Sequence, residues 1–322
     1  MKASLADNAQ LERFLVGHGW QSGHIARQIG AGNRHGVFLL EDSNRRAVLK
    51  IHEPCVAGRR DAFAHEALLH SFYAEQVGDL VPRLIAQDAG CRSLLFEHVP
   101  GQPVAGEESR LDDVARMTAF LLETNRPEVL ERARQARLPR ASDAGLSASE
   151  HWQCASSRLD ALLGLPVTDE PTFAMQDFVR SELWPALAES KPDDGAPVQP
   201  CLSPSDFGFH NVIRRENGSF CFLDFEHAGW DDPAKMAADL ILQPEAPLAE
   251  DHAKALVEAL GAAELFGSEL TRRIAGVMTC QKVKWTAIIL NVFQRQGLSS
   301  ESKLARLSKA REYWFKVSNS SS

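Results

Sequence analysis

Apolar and polar positions alternate along HGVFLLED and RRAVLKIH, and again along VPRLIAQD and SLLFEHV. That period predicts four strands in the first hundred residues. Between the second and third, RDAFAHEALLHSFYAEQ changes to helical spacing through Phe63, Ala67, Leu68 and Phe72. A shorter helix, LERFLVGH, precedes all of them. VPGQPV interrupts the pattern, and its Pro100, Gly101 and Pro103 read as a linker. Helical periodicity dominates beyond it. LDDVARMTAFLLETN and FAMQDFVRSELWPALAES each predict a helix, and Ser147 with Glu150 forms a capping-box pattern ahead of HWQCASSRLDALLG. KPDDGAP reads as a loop and SNSSS as a frayed tail.

One strand pair interrupts the helical half. NVIRRENGSFCFLD sets Asn217-Gly218 between two alternating runs, the strongest short-range hairpin signal. No internal repeat is present. The expected fold class is therefore α+β. A small sheet-plus-helix lobe spans 1–98, a hinge 99–103, and a larger, mainly helical lobe with the hairpin 104–322. Clefts between lobes are favoured ligand sites.

Composition narrows the partners. The chain has 322 residues, 44% hydrophobic and 24% charged, which suits a soluble globular protein with a sizeable core. A net charge of −8 and the lack of any Lys/Arg run argue against nucleic acid or an anionic membrane surface as partner. Six scattered cysteines without a CxxC pair suggest neither a zinc site nor a disulfide framework, but reduced thiols in a cytoplasm. MKASLADNAQLERFL lacks the apolar core of a signal peptide, and WTAIILNVF is too short to span a bilayer.

The candidate chemistry gathers at the hairpin. With a two-residue turn, Glu216 faces Ser219, Ile213 faces Phe222, and Asn211 faces Asp224 at the open end. Two oxygen ligands on one rigid hairpin suit Mg²⁺. A third carboxylate, Asp206, lies in the preceding loop, where it is suited to orient a hydroxyl and accept its proton. The plain alternative is that all three are turn and strand-end polar residues, and a one-residue slip of register would separate the facing pair.

Asp206-x-x-x-x-Asn211 followed by a hydrophobic strand ending in Asp224 is the catalytic pattern of kinases. With LDFEHAGWDDP, it resembles the aminoglycoside phosphotransferase and choline kinase superfamily. The resemblance spans roughly residues 25–245 and implies a bilobal, protein-kinase-like fold. It also implies Asp206 as catalytic base, Asn211 and Asp224 as Mg²⁺ ligands, and ATP as phosphoryl donor. Where that superfamily reads His-Gly-Asp, this chain reads Pro204-Ser205-Asp206.

Other residues fall in the matching order. Gly30, Gly32 and Gly36 precede a strand and suit the close approach of phosphate oxygens to backbone amides, although a glycine-rich turn alone would look the same. Lys50 in RAVLKIH would contact the α- and β-phosphates, and Glu66 on the next helix would pair with it. SLLFEHVPG would be the hinge, where the backbone near Glu97, His98 and Val99 meets the adenine edge. The expected activity is ATP-dependent phosphorylation of a small-molecule hydroxyl. Alternatives are a catalytically silent nucleotide-binding protein, suggested by Pro204-Ser205, and a metal-dependent phosphohydrolase. Sugar, amino-alcohol, aminoglycoside-like, choline-like and homoserine-like acceptors all stay open. Trp152, Trp184, Trp230, Trp285 and Trp314 read mainly as core or amphipathic surface residues, with a cation–π box for a quaternary ammonium as the alternative. Glu226, Asp231 and Asp232 would add negative potential for a cationic acceptor, although an exposed loop would carry the same residues without a ligand.

Overall fold

The structure, a computed structural model, describes residues 9–31, 35–56, 58, 60–104, 110–190, 198–267, 269–295 and 297–319. The chain divides into two units. The first combines Met1–Val104 with Asn211–Ala228, and the second combines Ala105–His210 with Gly229–Ser322.

In the first unit, helix α1 (Ala9–Gly17) precedes strands β1 (Ile25–Ala31), β2 (His35–Glu41) and β3 (Arg46–His52). Helix α2 (Ala62–Val77) then leads to β4 (Leu84–Asp88) and β5 (Ser93–Glu97). These strands form one antiparallel sheet in the order β1-β2-β3-β5-β4. Four of them were expected; β1 was not, because IARQIGA lacks clean alternation and its register shifts twice along β2.

Alternation along β3 decides what each face carries. Ala47 and Leu49 point into a core made with Leu11, Phe14, Leu15 and Trp20. Val48 packs on the opposite side with Phe63 and Ala67 of α2 and Leu94 and Phe96 of β5. Lys50 and His52, two and four residues on, share the parity of Val48. Full burial of a side chain such as Leu49 contributes about 1.5–3 kcal/mol to holding this register. Asp61 caps α2 by accepting from the Ala64 N–H at 3.2 Å. Leu68, expected on the apolar stripe, is 45% exposed. Phe63, Ala67 and Phe72 are buried as expected, and the covered side also takes in Glu66, His70 and Tyr73.

The segment read as a linker contains a two-residue strand, β6 (Gln102–Pro103), in a sheet ordered β6-β8-β9. Strands β8 (Val212–Arg214) and β9 (Phe220–Phe222) are the expected hairpin, and they group with the first unit.

The second unit is mainly helical. It contains α3 (Leu111–Glu123), α4 (Pro127–Gln135), α5 (Ala148–Leu163), α6 (Glu170–Phe178) and α7 (Trp184–Glu189). Strand β7 (Cys201–Ser203) pairs antiparallel with β10 (Gly229–Asp231), and α8 (Pro233–Ile241), α9 (Glu250–Gly261), α10 (Leu270–Leu290) and α11 (Ser300–Asn319) follow. Its core joins α5, α6, α7, α10 and α11 through residues such as Leu159, Met175, Leu187, Val283 and Tyr313. Ser147 caps α5 as expected, accepting from the Glu150 N–H at 3.1 Å. Glu150 completes only half of a capping box, since its carboxylate takes the N–H of Leu146. The helix expected over 173–190 is broken by a π turn over Val179–Leu183. Pro185 supplies no N–H to the helical ladder, and the wider turn absorbs the mismatch. KPDDGAP lies outside the described residues. Among those described, no helix is long and apolar enough to cross a membrane.

Candidate active site

Lys50 is 5% exposed, so its ammonium needs opposite charge close by. Three carboxylates supply it. The Nζ donates to Glu66 Oε1 at 2.9 Å and to Asp224 Oδ1 at 2.9 Å, and Glu226 Oε2 lies 3.9 Å away. His52 Nε2 stands 3.1 Å from Glu66 Oε2. Burial alone would lower the Lys50 pKa, but Asp224, Glu66 and Glu226 outweigh it and the net shift is upward. Burial likewise pushes Glu66 up, and Lys50 and His52 overcome it, bringing its pKa to about 2 from an ordinary 4.5. A depressed carboxylate pKa contributes stability that is fully present above the unfolded value and is lost as pH falls through the folded one. The stability difference between the wild type and Glu66→Gln is therefore expected to shrink as pH drops from 4.5 toward 2, measured by denaturant unfolding.

The hairpin register differs from the expected one. Val212 pairs with Phe222, Ile213 with Cys221 and Arg214 with Phe220. The loop has three residues, closed by the Arg215 N–H donating to Ser219 O at 2.9 Å and the Gly218 N–H to Arg215 O at 2.9 Å. A two-residue turn requires positive φ at both central positions, and here only Gly218, at +80°, has it. Asn211 consequently faces Leu223, whose N–H donates to Asn211 O at 2.9 Å, and Asp224 lies one residue beyond. Asp224 itself takes φ +63°, a left-handed conformation that Asp tolerates better than most residues. Lys50, Glu66 and Asp224 are thus brought together, while the expected face-to-face pairing of Asn211 with Asp224 is replaced.

Gly30 lies in β1 opposite Val37, next to a register shift, and Gly32 lies outside the described residues. Glu97 ends β5, and its Oε1 accepts the Arg83 N–H at 3.0 Å. Val99 follows without a regular element and is half-buried.

Asp206 belongs to the second unit, on the loop after β7. Its Oδ1 accepts from Gln243 Nε2 at 2.7 Å and lies 3.5 Å from His210 Nε2. The loop is shaped by Ser205, whose N–H donates to Ser203 Oγ at 3.0 Å and whose hydroxyl donates to Ser142 O at 3.3 Å. Ser205 has φ +67°. A Cβ is disfavoured there, and glycine adopts that conformation readily. Ser205→Gly is expected to be more stable than Ser205→Ala by about 1 kcal/mol, although both lose the hydroxyl. Thermal or denaturant unfolding of the two variants checks the ordering.

Residues 25–275 match the phosphotransferase enzyme family, APH. The chain belongs to that family. Solved structures share the fold of this family member at low identity. The choline/ethanolamine kinase family protein of Mesorhizobium loti superposes with a TM-score of 0.60 at 16% identity, covering 91% of this chain and 89% of that one. Choline kinase LicA of Streptococcus pneumoniae gives 0.57 at 14%, covering 90% and 93%. Spectinomycin phosphotransferase APH(9)-Ia, in complex with ADP and spectinomycin, gives 0.57 at 13%, covering 91% and 92%. No curated protein matches the chain.

Two expectations about a cationic acceptor change in this phosphotransferase. Asp231 and Asp232 are fully buried and already matched by internal partners. Lys235 Nζ sits 2.6 Å from Asp231, at the end of β10, and 2.8 Å from Asp239, one turn further along α8. Asp239 also accepts from Lys284 and, at 2.9 Å, from Trp285 Nε1. Asp232 caps α8 through the Ala234 N–H at 2.8 Å and accepts from His151 and Arg273. Glu226 is buried beside Lys50. The tryptophans follow the core alternative: Trp285 belongs to the helical core, and Trp152, Trp184 and Trp314 pack against it. Trp152 and Trp184 pack against each other at 6.3 Å between centroids, Trp152 donates to Leu187 O, and Arg134 lies over Trp230.

The sequence reading missed His52 as a neighbour of Glu66 and Gln243 as a partner of Asp206. The first was signalled by its two-residue spacing from Lys50; the second, 37 residues from Asp206, had no local signal.

Proposed function

We propose that the protein transfers the γ-phosphoryl group of ATP to a hydroxyl of a small molecule, with Mg²⁺. The observation that carries this reading is the buried Lys50–Glu66–Asp224 cluster, in a chain of the phosphotransferase enzyme family. A lysine fixed by one carboxylate and touching a second, partly exposed one is the arrangement a kinase uses to hold phosphates beside a metal-binding carboxylate. The donor set suits Mg²⁺: the Asp224 carboxylate and the Asn211 amide carry hard oxygens. A carboxylate has about four lone-pair sites, so Lys50 on Oδ1 leaves Asp224 capacity for a cation.

In this reading Lys50 binds the α- and β-phosphates, and Glu66 keeps its ammonium in place. The amides near Gly30 and Gly32 approach the phosphates, and the backbone at Glu97 and Val99 meets the adenine. Asn211 and Asp224 hold the metal, which when bound neutralises phosphate charge. Asp206 orients the acceptor hydroxyl and receives its proton. The acceptor oxygen forms the new O–P bond as the bond from the γ-phosphorus to the β–γ bridging oxygen breaks, releasing ADP. Such catalysis is mainly positioning and charge compensation.

An acceptor screen monitored by ADP release tests the proposal. Choline, ethanolamine, spectinomycin, homoserine and simple sugars are the first probes, since choline/ethanolamine kinases and a spectinomycin phosphotransferase share the fold. Acceptor-dependent ADP release with a phosphorylated product is expected. Nucleotide binding without turnover across the panel would favour a silent kinase-like protein. Phosphate release from phosphomonoesters without ATP would favour a phosphohydrolase.

A further inference from the structure

We infer that Gln243 is a positioning residue for Asp206, holding the carboxylate in the orientation that meets the acceptor hydroxyl. The inference rests on the reading of Asp206 as the base. Gln243 lies two residues past the end of α8 and is 2% exposed. Its Nε2 donates to Asp206 Oδ1 at 2.7 Å. Its Oε1 accepts the backbone N–H of Glu245 at 3.2 Å. A backbone N–H can only donate, so the amide oxygen must face Glu245 and the NH₂ must face Asp206.

The segment carrying Gln243 is itself held in place. Tyr313 Oη donates to Leu242 O at 2.6 Å, Leu248 N–H to Ile241 O at 3.1 Å, and Ala246 N–H to Gln243 O at 3.1 Å. The loop of Asp206 makes room for it at Gly208, where a Cβ would stand 2.7 Å from Gln243 Cγ and 2.9 Å from His210 Nδ1. Asp206 is 36% exposed, and an exposed carboxylate on a loop would sample several rotamers without such an anchor. The donor is also neutral. A lysine or arginine at the same distance would orient the carboxylate but weaken it as a proton acceptor, whereas an amide orients it with far less loss of basicity.

Three variants test this: Gln243→Met, which keeps the bulk and removes both the Nε2 donor and the Oε1 that accepts the Glu245 N–H; Gln243→Glu, which keeps the shape and the acceptor for Glu245 and replaces only the donor to Asp206; and Asp206→Asn. ADP release from Mg-ATP is followed with choline, with ethanolamine and with water as acceptor. A hydrogen bond to a charged group corresponds to roughly a 10- to 100-fold loss of kcat in Gln243→Met, with KM for ATP unchanged. Gln243→Glu should lose at least as much. In the Asp206→Asn background, Gln243→Met should cause no further loss, because the two residues act as one unit. Wild-type kcat in folded Gln243→Met or Gln243→Glu would overturn the inference, as would a loss that multiplies in full with that of Asp206→Asn. If Asp206→Asn is itself fully active, the reading of Asp206 as base fails instead. Crystal structures of the wild type and Gln243→Met provide a readout independent of turnover. The Asp206 carboxylate is expected to leave its rotamer in the variant, and an unmoved carboxylate would overturn the inference.

Discussion

Asp206→Ala is expected to lower phosphoryl transfer by about 10²- to 10⁴-fold, the range over which a positioned general base acts, while Mg-ATP affinity stays unchanged. The separation follows from where the interaction is made. A carboxylate that takes the acceptor proton acts mainly in the transition state, so its removal appears in kcat and not in nucleotide binding. Truncation leaves the Nε2 donor of buried Gln243 without this acceptor, a cost of about 1–3 kcal/mol. Asp206 is partly exposed, and its partner Gln243 keeps the backbone N–H of Glu245 on its other end. The check is ADP release with the best acceptor from the screen, alongside calorimetric titration of Mg-ATP. Undiminished turnover would remove Asp206 from the chemistry. Loss of nucleotide binding would mean that the substitution had damaged more than the base.

Lys50→Met carries the second large effect, and here the first consequence is stability. Glu66, Asp224 and Glu226 converge on one ammonium in a buried setting. Without it, carboxylates stand near one another with little solvent, and each must protonate, move or draw in water. Breaking a buried ion pair by removing one partner typically costs about 3–5 kcal/mol, and a loss of this size is expected in denaturant unfolding. Lys50→Arg should not restore the wild type, because a planar guanidinium does not fit a slot closed around a compact ammonium. The double variant Lys50→Met/Glu66→Gln should be more stable than the sum of its single changes implies, since it removes both ends of the pair. Strict additivity would show that the pair does not hold this part of the sheet to α2. Turnover should fall with the stability-corrected variant as well, because the same ammonium is assigned to the phosphates.

Much of this was legible in the residues. Four strands, α2 and the hairpin follow from hydrophobic period and from Asn217-Gly218, because those signals act between near neighbours in sequence. The family resemblance was legible for the same reason: Asp206, Asn211 and Asp224 lie within one short stretch. Period two along β3 also puts Lys50 on one face with Val48 and His52, a signal that the sequence reading did not use. The hairpin register was not legible. It turned on the φ angle of a single residue, Asn217, and a three-residue loop moved every pairing by one.

What the tertiary structure alone decided was which charges meet. Glu226, Asp231 and Asp232 look alike in sequence, three acids within seven residues, yet Glu226 is buried beside Lys50 while Asp231 and Asp232 are matched to Lys235, His151 and Arg273. Gln243 reaches Asp206 across 37 residues. A local pattern says how a segment bends and which face it hides. Only packing brings distant segments within hydrogen-bonding range, and for a buried charge that distance determines whether it is neutralised, poised or left to solvent.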